Sequence, residues 1–322
     1  MRRMSLRWAL TAAVVLAAAG AARAGLRAGN VEYKHGDVTL EGYLAYDDAM
    51  EGQRPGVVVV HEWYGVNDYV KGRARQLARL GYVALAIDMY GKGRRAKTRA
   101  EAARLSGALR KDRKLMRARA RAGLEALKRH RLTNRARLAA IGFCFGGTTA
   151  LELARGGADL DVVVSFHGGL GTPLPAKAGE IKAKVLVLHG AADPHVTAEE
   201  VAAFRKEMTA AKADWQMISY GGAVHAFTNP DAGNDPSTGA AYDAKAARRS
   251  WAAMQLLFIE TIGLPDPDTD EEGIGRFIKE KIFRPVGKAG KATGKAVGKA
   301  GKATGKAVKK VWDKLTGNDD LN

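Results

Sequence analysis

One stretch, from Arg137 to Ala154, joins an apolar run, a glycine-bracketed turn and a segment rich in alanine and leucine. The apolar run, 138–143, has the length and composition of a buried strand, and the segment after the turn is typical of a helix. Cys144, the only cysteine in the chain, lies at the turn between Gly142 and Gly146. Small residues at these two positions relieve the crowding of a sharp bend. The stretch therefore predicts a cysteine exposed at a strand end, with a helix N-terminus directed at it.

Two interpretations of Cys144 follow from this stretch. Free cysteine is among the residue types most often buried, so a packed structural thiol is one interpretation. The other is a nucleophile, because a helix N-terminus stabilises both a thiolate and the negative charge that develops on a substrate oxygen. The choice depends on whether the chain also supplies a base and a group that orients the base.

Short strands alternate with helices through the rest of the central chain. Val57 to Val60 is a continuous β-branched run, as expected for a strand buried on both faces. Before the turn we also predict a hairpin around 35–37, a helix at about 68–80, a strand at 82–87 and an arginine-rich helical stretch at 91–131. After the turn we predict strands at 162–166, 185–188 and 215–220, and helices at 197–211 and 242–262. This alternation predicts an α/β fold over residues 25–263, with a doubly wound, mostly parallel sheet flanked by helices.

The arginine-rich stretch raises a separate question about its charges. Apolar residues recur through it at mostly helical spacings. We expect its charges to form a solvated face, with some of them lining a substrate entrance.

The N-terminus has the features of a secretory signal peptide over residues 1–24. Three arginines among the first seven residues precede an apolar or small run, and Ala22-Arg23-Ala24 offers a cleavage site. The run is short for a membrane-spanning helix, so we favour cleavage over an uncleaved anchor. We therefore expect a periplasmic or secreted protein. A lone thiol kept in an oxidising compartment needs a reason, and catalysis is one.

The chain supplies both partners that a cysteine nucleophile needs. Asp193 lies in the loop after the strand at 185–188, and His225 lies just past the last predicted strand. A nucleophile needs a base within hydrogen-bonding reach, and the base needs an orienting group. Asp193 alone is explained as a turn residue and His225 alone as a polar loop residue. Their joint position at strand ends, in this order, favours a triad with Cys144.

Five motifs together resemble the dienelactone hydrolase family of the α/β-hydrolases. They are HEWYGVN at 61–67, DMYGKG at 88–93, GFCFGG at 142–147, HGAADPHV at 189–196 and GAVHAF at 222–227. The bracketed Cys144 is similar to a nucleophile elbow, with cysteine where serine is usual. The resemblance implies an α/β-hydrolase fold and hydrolysis of carboxylic esters or lactones, with no cofactor and no metal. It also implies that Cys144 is the nucleophile, His225 the base and Asp193 the orienting acid.

The resemblance extends to three further residues. Glu62 matches a glutamate thought to take the thiol proton when substrate binds, a role that requires burial to raise its pKa. The alternative for Glu62 is a structural ion pair with an arginine. The backbone N–H groups of Trp63 and Phe145 match the oxyanion donors of the family.

Two substrate-binding arginines of the family have no clear counterpart in this chain. The arginine that follows shortly after the histidine in the family is missing here, and Asn229 lies in that neighbourhood. The other cannot be assigned among four arginines of the helical stretch, which are Arg94, Arg95, Arg99 and Arg104.

The composition changes after residue 263. Residues 264–286 contain an acidic, proline-broken linker and a short amphipathic segment, and the unit GKAGKATGKAV occurs at 287–297 and again at 298–308. Its glycines disfavour a free helix. We expect the basic low-complexity tail, 287–322, to be disordered in solution and to form a helix on an anionic membrane or envelope surface. An inert solvated tail is the alternative, and the export signal and lack of interleaved aromatics argue against nucleic acid.

These observations predict an exported hydrolase of small-molecule esters or lactones that works through an acyl-thioester on a Cys-Asp-His triad. A second interpretation is a non-catalytic envelope-binding protein, in which the hydrolase fold is a scaffold and the basic tail binds anionic surfaces. The net charge of +18 fits attraction to such surfaces. The complete set of triad residues favours the enzyme. An amidase or peptidase is a third interpretation, because amide and ester hydrolysis share this machinery.

Overall fold

The computed structural model describes residues 25–263. The predicted signal peptide, linker and lysine-rich tail lie outside these residues. The described chain forms an eight-stranded sheet whose two faces are each covered by an apolar core. Within this part of the chain, no helix is both long enough and apolar enough to cross a lipid bilayer.

The elements alternate along the chain as the apolar pattern predicts. The strands are β1 (Leu26–His35), β2 (Val38–Asp47), β3 (Arg54–Val60), β4 (Val83–Ile87), β5 (Thr133–Phe143), β6 (Val162–Phe166), β7 (Lys184–Gly190) and β8 (Trp215–Tyr220). The helices are α1 (Asp68–Arg79), α2 (Arg99–Lys111), α3 (Arg113–Lys128), α4 (Phe145–Arg155), α5 (Ala198–Ala210) and α6 (Ala244–Ile262).

The strand order is β1-β2-β4-β3-β5-β6-β7-β8. β2 is antiparallel to both β1 and β4, and every other neighbouring pair is parallel. The structure thus confirms a doubly wound, mostly parallel sheet, with an antiparallel hairpin at one edge.

β3 lies inside the sheet, between β4 and β5. Its valines are fully buried and alternate between the two cores: Val58 and Val60 pack on one side, and Val57 and Val59 on the other. Burial on both faces explains why this strand is a continuous apolar run rather than an alternating one.

The turn from β5 into α4 depends on its glycines for close packing. A Cβ on Gly146 would lie 2.2 Å from the carbonyl oxygen of Val60, and a Cβ on Gly142 would lie 1.9 Å from the carbonyl oxygen of Gly146. No L side chain fits at such distances. The two glycines therefore let the first turn of α4 rest directly on the end of β3.

The arginine-rich stretch divides into two helices, because Asp112 ends α2 and its side chain caps the first turn of α3. The expectation that its charges are solvated is wrong for Arg117. Arg117 Nε lies 2.8 Å from Oε2 of Glu152, which is fully buried in α4 and also pairs with Arg155 at 3.2 Å. A buried carboxylate is strongly unfavourable without a counter-charge, so the arginine is held inward.

The parallel strands bring several loops to one edge of the sheet. β3, β5, β7 and β8 run in the same direction, so their C-terminal ends lie together. The segments that follow them carry Glu62, Cys144, Asp193 and His225, respectively. The crevice beyond the carboxyl ends of the strands is where open α/β sheets bind ligands.

Candidate active site

Cys144 is half-buried at the N-cap of α4, with a φ of 55° and a ψ of −116°. A non-glycine residue at positive φ carries backbone strain on the order of 1–3 kcal/mol and persists only where its surroundings enforce it. Here the backbone N–H of Cys144 donates to the carbonyl oxygen of Phe166 at 3.0 Å. The same N–H donates to Nδ1 of His167 at 3.1 Å. The turn is therefore fixed from the neighbouring strand β6.

The structure brings the three predicted triad residues into contact. Nε2 of His225 lies 3.0 Å from Sγ of Cys144. Nδ1 of His225 lies 2.8 Å from Oδ2 of Asp193, whose side chain is fully buried. Oδ1 of Asp193 accepts the backbone N–H of His195 at 2.9 Å. The hydrogen bond between Asp193 and Nδ1 thus orients the His225 ring so that its Nε2 faces the sulfur of Cys144.

The electrostatics of His225 favour a proton on its ring. Burial by itself lowers the pKa of His225, but the negative charge of Cys144 and the hydrogen bond to Asp193 outweigh burial and raise that pKa to about 10. At neutral pH the ring of His225 therefore remains protonated beside Sγ of Cys144. A thiolate paired with an imidazolium is the reactive form of a cysteine nucleophile.

Glu62 is buried in the loop after β3, and its contact is with an amide. Oε2 of Glu62 accepts a hydrogen bond from Nδ2 of Asn229 at 2.6 Å. Oδ1 of Asn229 accepts the backbone N–H of Asp231 at 2.9 Å, which fixes the orientation of the amide. Oε1 of Glu62 has no hydrogen-bond partner among the described residues. Asn229 thus holds the carboxyl of Glu62 by a neutral group.

The environment of Glu62 brings its titration close to neutrality. Burial raises the pKa of Glu62 to about 7, while the hydrogen bond from Asn229 and the charges of His225 and Arg73 act in the opposite direction. A carboxyl with this pKa is able both to accept and to release a proton near pH 7.

We expect Asn229→Ala to raise the pKa of Glu62 further, because the amide hydrogen bond stabilises the ionised carboxylate. A hydrogen bond to a charged group contributes about 1.5–3 kcal/mol, which corresponds to an upward shift of about one to two pH units. The pH dependence of kcat/KM for a short-chain nitrophenyl ester measures this shift as movement of the inflection near pH 7.

Asn234→Ala is the matched control, since Asn234 is an exposed asparagine of the same connection between β8 and α6. Its inflection should coincide with that of the wild type. An Asn229→Ala profile that superimposes on both would show that the amide does not control the ionisation of Glu62.

The two predicted oxyanion donors belong to the two segments that follow β5 and β3. Phe145 is the first residue of α4, so its backbone N–H has no partner within the helix. Trp63 lies in the loop after β3, and its carbonyl oxygen accepts a hydrogen bond from the Tyr90 hydroxyl at 2.9 Å. The rings of Tyr90 and Phe145 are 5.8 Å apart. Tyr90 therefore links the loop that carries Trp63 to the start of α4.

Arg110 lies beside the nucleophile turn, whereas the sequence pointed to Arg94, Arg95, Arg99 and Arg104. Its guanidinium lies 5.7 Å from the ring centroid of Phe145. Arg94 and Arg95 instead line a cavity of about 140 Å³ that also includes Asp88. Arg110 follows the buried Ser106 by one helical turn, a spacing that places it beside the inward face of α2. Nothing in the sequence indicates which loop that face meets.

Three other residues at the site had no sequence signal. His167 directly follows β6, and its Nδ1 accepts a hydrogen bond from the backbone N–H of Cys144. Its other ring nitrogen lies 2.6 Å from Oγ1 of Thr228, and the same oxygen lies 2.7 Å from the Tyr69 hydroxyl.

Over residues 25–263, no cluster of three or more His, Cys, Asp or Glu side chains is arranged to hold a metal ion. The chemistry that this geometry supports is nucleophilic attack by Cys144, assisted by His225.

Comparison with known proteins agrees with the family that the five sequence motifs resemble. Residues 40–262 match the model of the dienelactone hydrolase family. Among solved structures, the chain is 45% identical to the dienelactone hydrolase-like promiscuous phosphotriesterase P91 from metagenomic libraries, with a TM-score of 0.69 over 74% of this chain and 100% of that one. The protein m3DLH is 44% identical, with a TM-score of 0.71 over 74% of this chain and 99% of that one.

A curated relative has the same affiliation. The chain is 32% identical over 226 residues to a Yersinia pestis protein provisionally named carboxymethylenebutenolidase, which covers 67% of this chain and 81% of that protein. The family match spans most of the described residues and includes the segments that carry Glu62, Cys144, Asp193 and His225. The chain belongs to the dienelactone hydrolase family, whose members are hydrolases that act on esters or lactones.

Proposed function

We propose that this protein is an exported carboxylic-ester or lactone hydrolase that forms an acyl-thioester on Cys144. The observation that carries the proposal is the continuous hydrogen-bonded chain from Sγ of Cys144 through His225 to the buried Asp193, with separations of 3.0 and 2.8 Å. A nucleophile, a base and an orienting acid in this arrangement are the parts that acyl transfer needs.

In the proposed cycle, the Cys144 thiolate attacks the carbonyl carbon of the ester or lactone. The backbone N–H groups of Phe145 and Trp63 stabilise the oxyanion that forms. Protonated His225 then donates its Nε2 proton to the leaving alkoxide as the carbon–oxygen bond breaks, which leaves an acyl-thioester and a neutral ring. Neutral His225 accepts a proton from water, the hydroxide attacks the thioester, and the carboxylic acid leaves as the thiolate–imidazolium pair is restored.

Glu62 has a supporting role in this proposal. Its unpartnered Oε1 and its pKa of about 7 suit a carboxyl that takes up a proton from the thiol when the pair with His225 is disturbed. Such an acceptor supplies a second group, besides His225, that is able to remove the proton from the thiol.

Formation of the acyl-thioester distinguishes the proposed hydrolase from a non-catalytic protein that uses the fold as a scaffold. Incubation with a nitrophenyl acetate at acidic pH, where deacylation is slow, should give an intact-protein mass increased by one acetyl group. Because the chain has a single cysteine, peptide mapping should place that group on Cys144. Acetyl groups confined to lysines, or an equal adduct on Cys144→Ala, would contradict covalent catalysis at this residue.

The substrate is proposed only as a class, a small ester or lactone. The absence of an arginine at Asn229 removes one cation that would recognise a substrate carboxylate, while Arg110 beside Phe145 supplies another. A substrate panel should therefore compare neutral and carboxylate-bearing esters and lactones on the same protein. Phosphotriesters belong in it because the similar protein P91 is described as a promiscuous phosphotriesterase.

Export and tail binding complete the proposal and are supported by the sequence alone. The basic and apolar N-terminal segment with Ala22-Arg23-Ala24 supports cleavage before Gly25, which N-terminal sequencing of the periplasmic protein would test. The repeated lysines of residues 287–308 support binding to an anionic membrane. Undiminished co-sedimentation with anionic liposomes after deletion of residues 279–322 would remove the tail from the proposal.

A further inference from the structure

His167 is a buried histidine at the nucleophile turn that the proposed reaction does not use. It follows β6, is 1% exposed and has a φ of 39°, which non-glycine residues rarely adopt. Its backbone N–H donates to the carbonyl oxygen of Leu188 in β7 at 2.9 Å. A strained and buried polar residue persists where its surroundings require that conformation, so the contacts of its ring indicate what it does.

The two ring nitrogens of His167 contact two different parts of the site. Nδ1 accepts the backbone N–H of Cys144 at 3.1 Å. Nε2 lies 2.6 Å from Oγ1 of Thr228. Because Nδ1 is an acceptor, the proton of the neutral ring is assigned to Nε2, which donates it to Thr228. One imidazole therefore connects the nucleophile turn with the loop 225–229, which carries His225.

Thr228 is held firmly at the other end of this connection. Its Oγ1 lies 2.7 Å from the hydroxyl of Tyr69, and its carbonyl oxygen accepts a hydrogen bond from Nη2 of Arg73 at 2.7 Å. The guanidinium of Arg73 lies 5.0 Å from the ring centroid of Trp251 and 5.4 Å from that of Phe143. The loop that carries His225 is thus fastened to α1 on one side and to His167 on the other.

The connection requires a neutral ring, and its surroundings keep it neutral. Burial and the charges of His225 and Arg73 hold the pKa of His167 well below its ordinary value. The rings of His167 and His225 are 5.5 Å apart in an edge-to-face arrangement. A protonated His167 would have no acceptor for the Cys144 N–H and would repel the imidazolium of His225. Of the two rings, His225 therefore carries the positive charge and His167 stays neutral.

We propose that His167 is a positioning residue that sets the separation of Cys144 Sγ and His225 Nε2 by bridging the nucleophile turn to the loop of the base. Its effect on turnover rests on the proposed hydrolase function, whereas its effect on the thiol does not. A displacement of about 1 Å in a reacting group lowers turnover on the order of 10²-fold. Loss of the bridge should therefore lower kcat, with KM nearly unchanged.

Thr228→Val breaks the bridge at its contact with Nε2 of His167 and keeps the contact between His167 and the nucleophile turn. It removes the hydroxyl with little change in shape. We expect kcat for a nitrophenyl ester to fall by about ten- to a hundredfold. We also expect the pH midpoint for alkylation of Cys144 by iodoacetamide to move to higher pH, because a displaced imidazolium stabilises the thiolate less. The chain has one cysteine, so the alkylation signal is unambiguous.

His167→Asn supplies the second half of a double-mutant cycle. The asparagine Oδ1 is able to accept the Cys144 N–H, and asparagine tolerates positive φ, but its side chain is too short to reach Thr228. In this background, Thr228→Val should change kcat and the alkylation midpoint much less than it does in the wild type, since the bridge is already broken and only the contact with Tyr69 remains to be lost. Fully additive effects would show that the two residues act independently and would overturn the proposal.

Thr133→Val is the matched control for Thr228→Val. Thr133 is equally buried, its hydroxyl has no hydrogen-bond partner among the described residues, and it lies at the opposite end of β5 from Cys144. The control should leave kcat and the alkylation midpoint unchanged. A Thr228→Val protein that melts earlier but keeps the wild-type midpoint would also overturn the proposal. Alkylation needs no substrate, so absence of ester hydrolysis by the wild type contradicts the proposed function without contradicting the bridge.

Discussion

Cys144→Ala is expected to lower kcat for a short-chain nitrophenyl ester on the order of 10⁶-fold, to the level of the oxyanion donors and binding alone. The reason is that alanine removes the only atom able to form the acyl-enzyme, while His225 and Asp193 keep their places. Fold stability should change little, because Cys144 is half-buried and the strained turn is set by its backbone contacts. Steady-state hydrolysis and thermal unfolding of the purified variant measure the two quantities.

Two further measurements make the Cys144→Ala result specific. Pre-treatment of the wild type with iodoacetamide should reproduce the loss, since the chain has no other cysteine to alkylate. Thr133→Val, a buried substitution away from the site, should retain wild-type turnover. Equal rates for the wild type and Cys144→Ala would refute a catalytic cysteine and would leave the envelope-binding scaffold as the better explanation of the chain.

Asp193→Asn is expected to lower kcat on the order of 10⁴-fold, although the substitution is nearly isosteric. The carboxylate accepts a hydrogen bond from Nδ1 of His225 and so leaves Nε2 available to the sulfur. An asparagine amide that donates to Nδ1 reverses this arrangement: the proton then lies on Nε2 of a neutral ring, which is unable to accept one from a thiol or from water. The ring stays in place but carries its proton on the wrong nitrogen.

The pH profile separates this explanation from a loss of structure. Asp193 is one of the groups that raise the pKa of His225 to about 10, so the variant should have a lower His225 pKa. Turnover that requires the imidazolium declines as pH rises through this pKa. The alkaline limb of kcat should therefore move to lower pH in Asp193→Asn. Asp159→Asn, an exposed aspartate on the chain segment after α4, should keep the wild-type limb. An Asp193→Asn limb that does not move would argue against the assigned electrostatic role.

The fold was predictable because its elements have strong local patterns. The continuous valines of β3 are typical of a strand buried on both faces, and the structure buries them in both cores. The glycines around Cys144 indicate a bend, and the structure shows that Gly146 also allows α4 to touch β3. The prediction of a solvated charged face was wrong where an arginine is instead the partner of a buried carboxylate. Arg117 has the sequence context of a solvated charge, but it pairs with Glu152, whose burial depends on how α4 packs.

The order Cys144, Asp193, His225 along the chain, each at the end of a strand, was enough to predict that parallel strands would gather these side chains at one edge. The sequence by itself determined this because strand direction and period follow from local composition. Only the tertiary structure decided that Asn229 holds Glu62 and that His167 joins the nucleophile turn to Thr228. These contacts join residues far apart in the chain, and they depend on loop paths that no local pattern encodes. The same loops set the pKa of Glu62, because burial of its carboxyl is a property of the assembled edge.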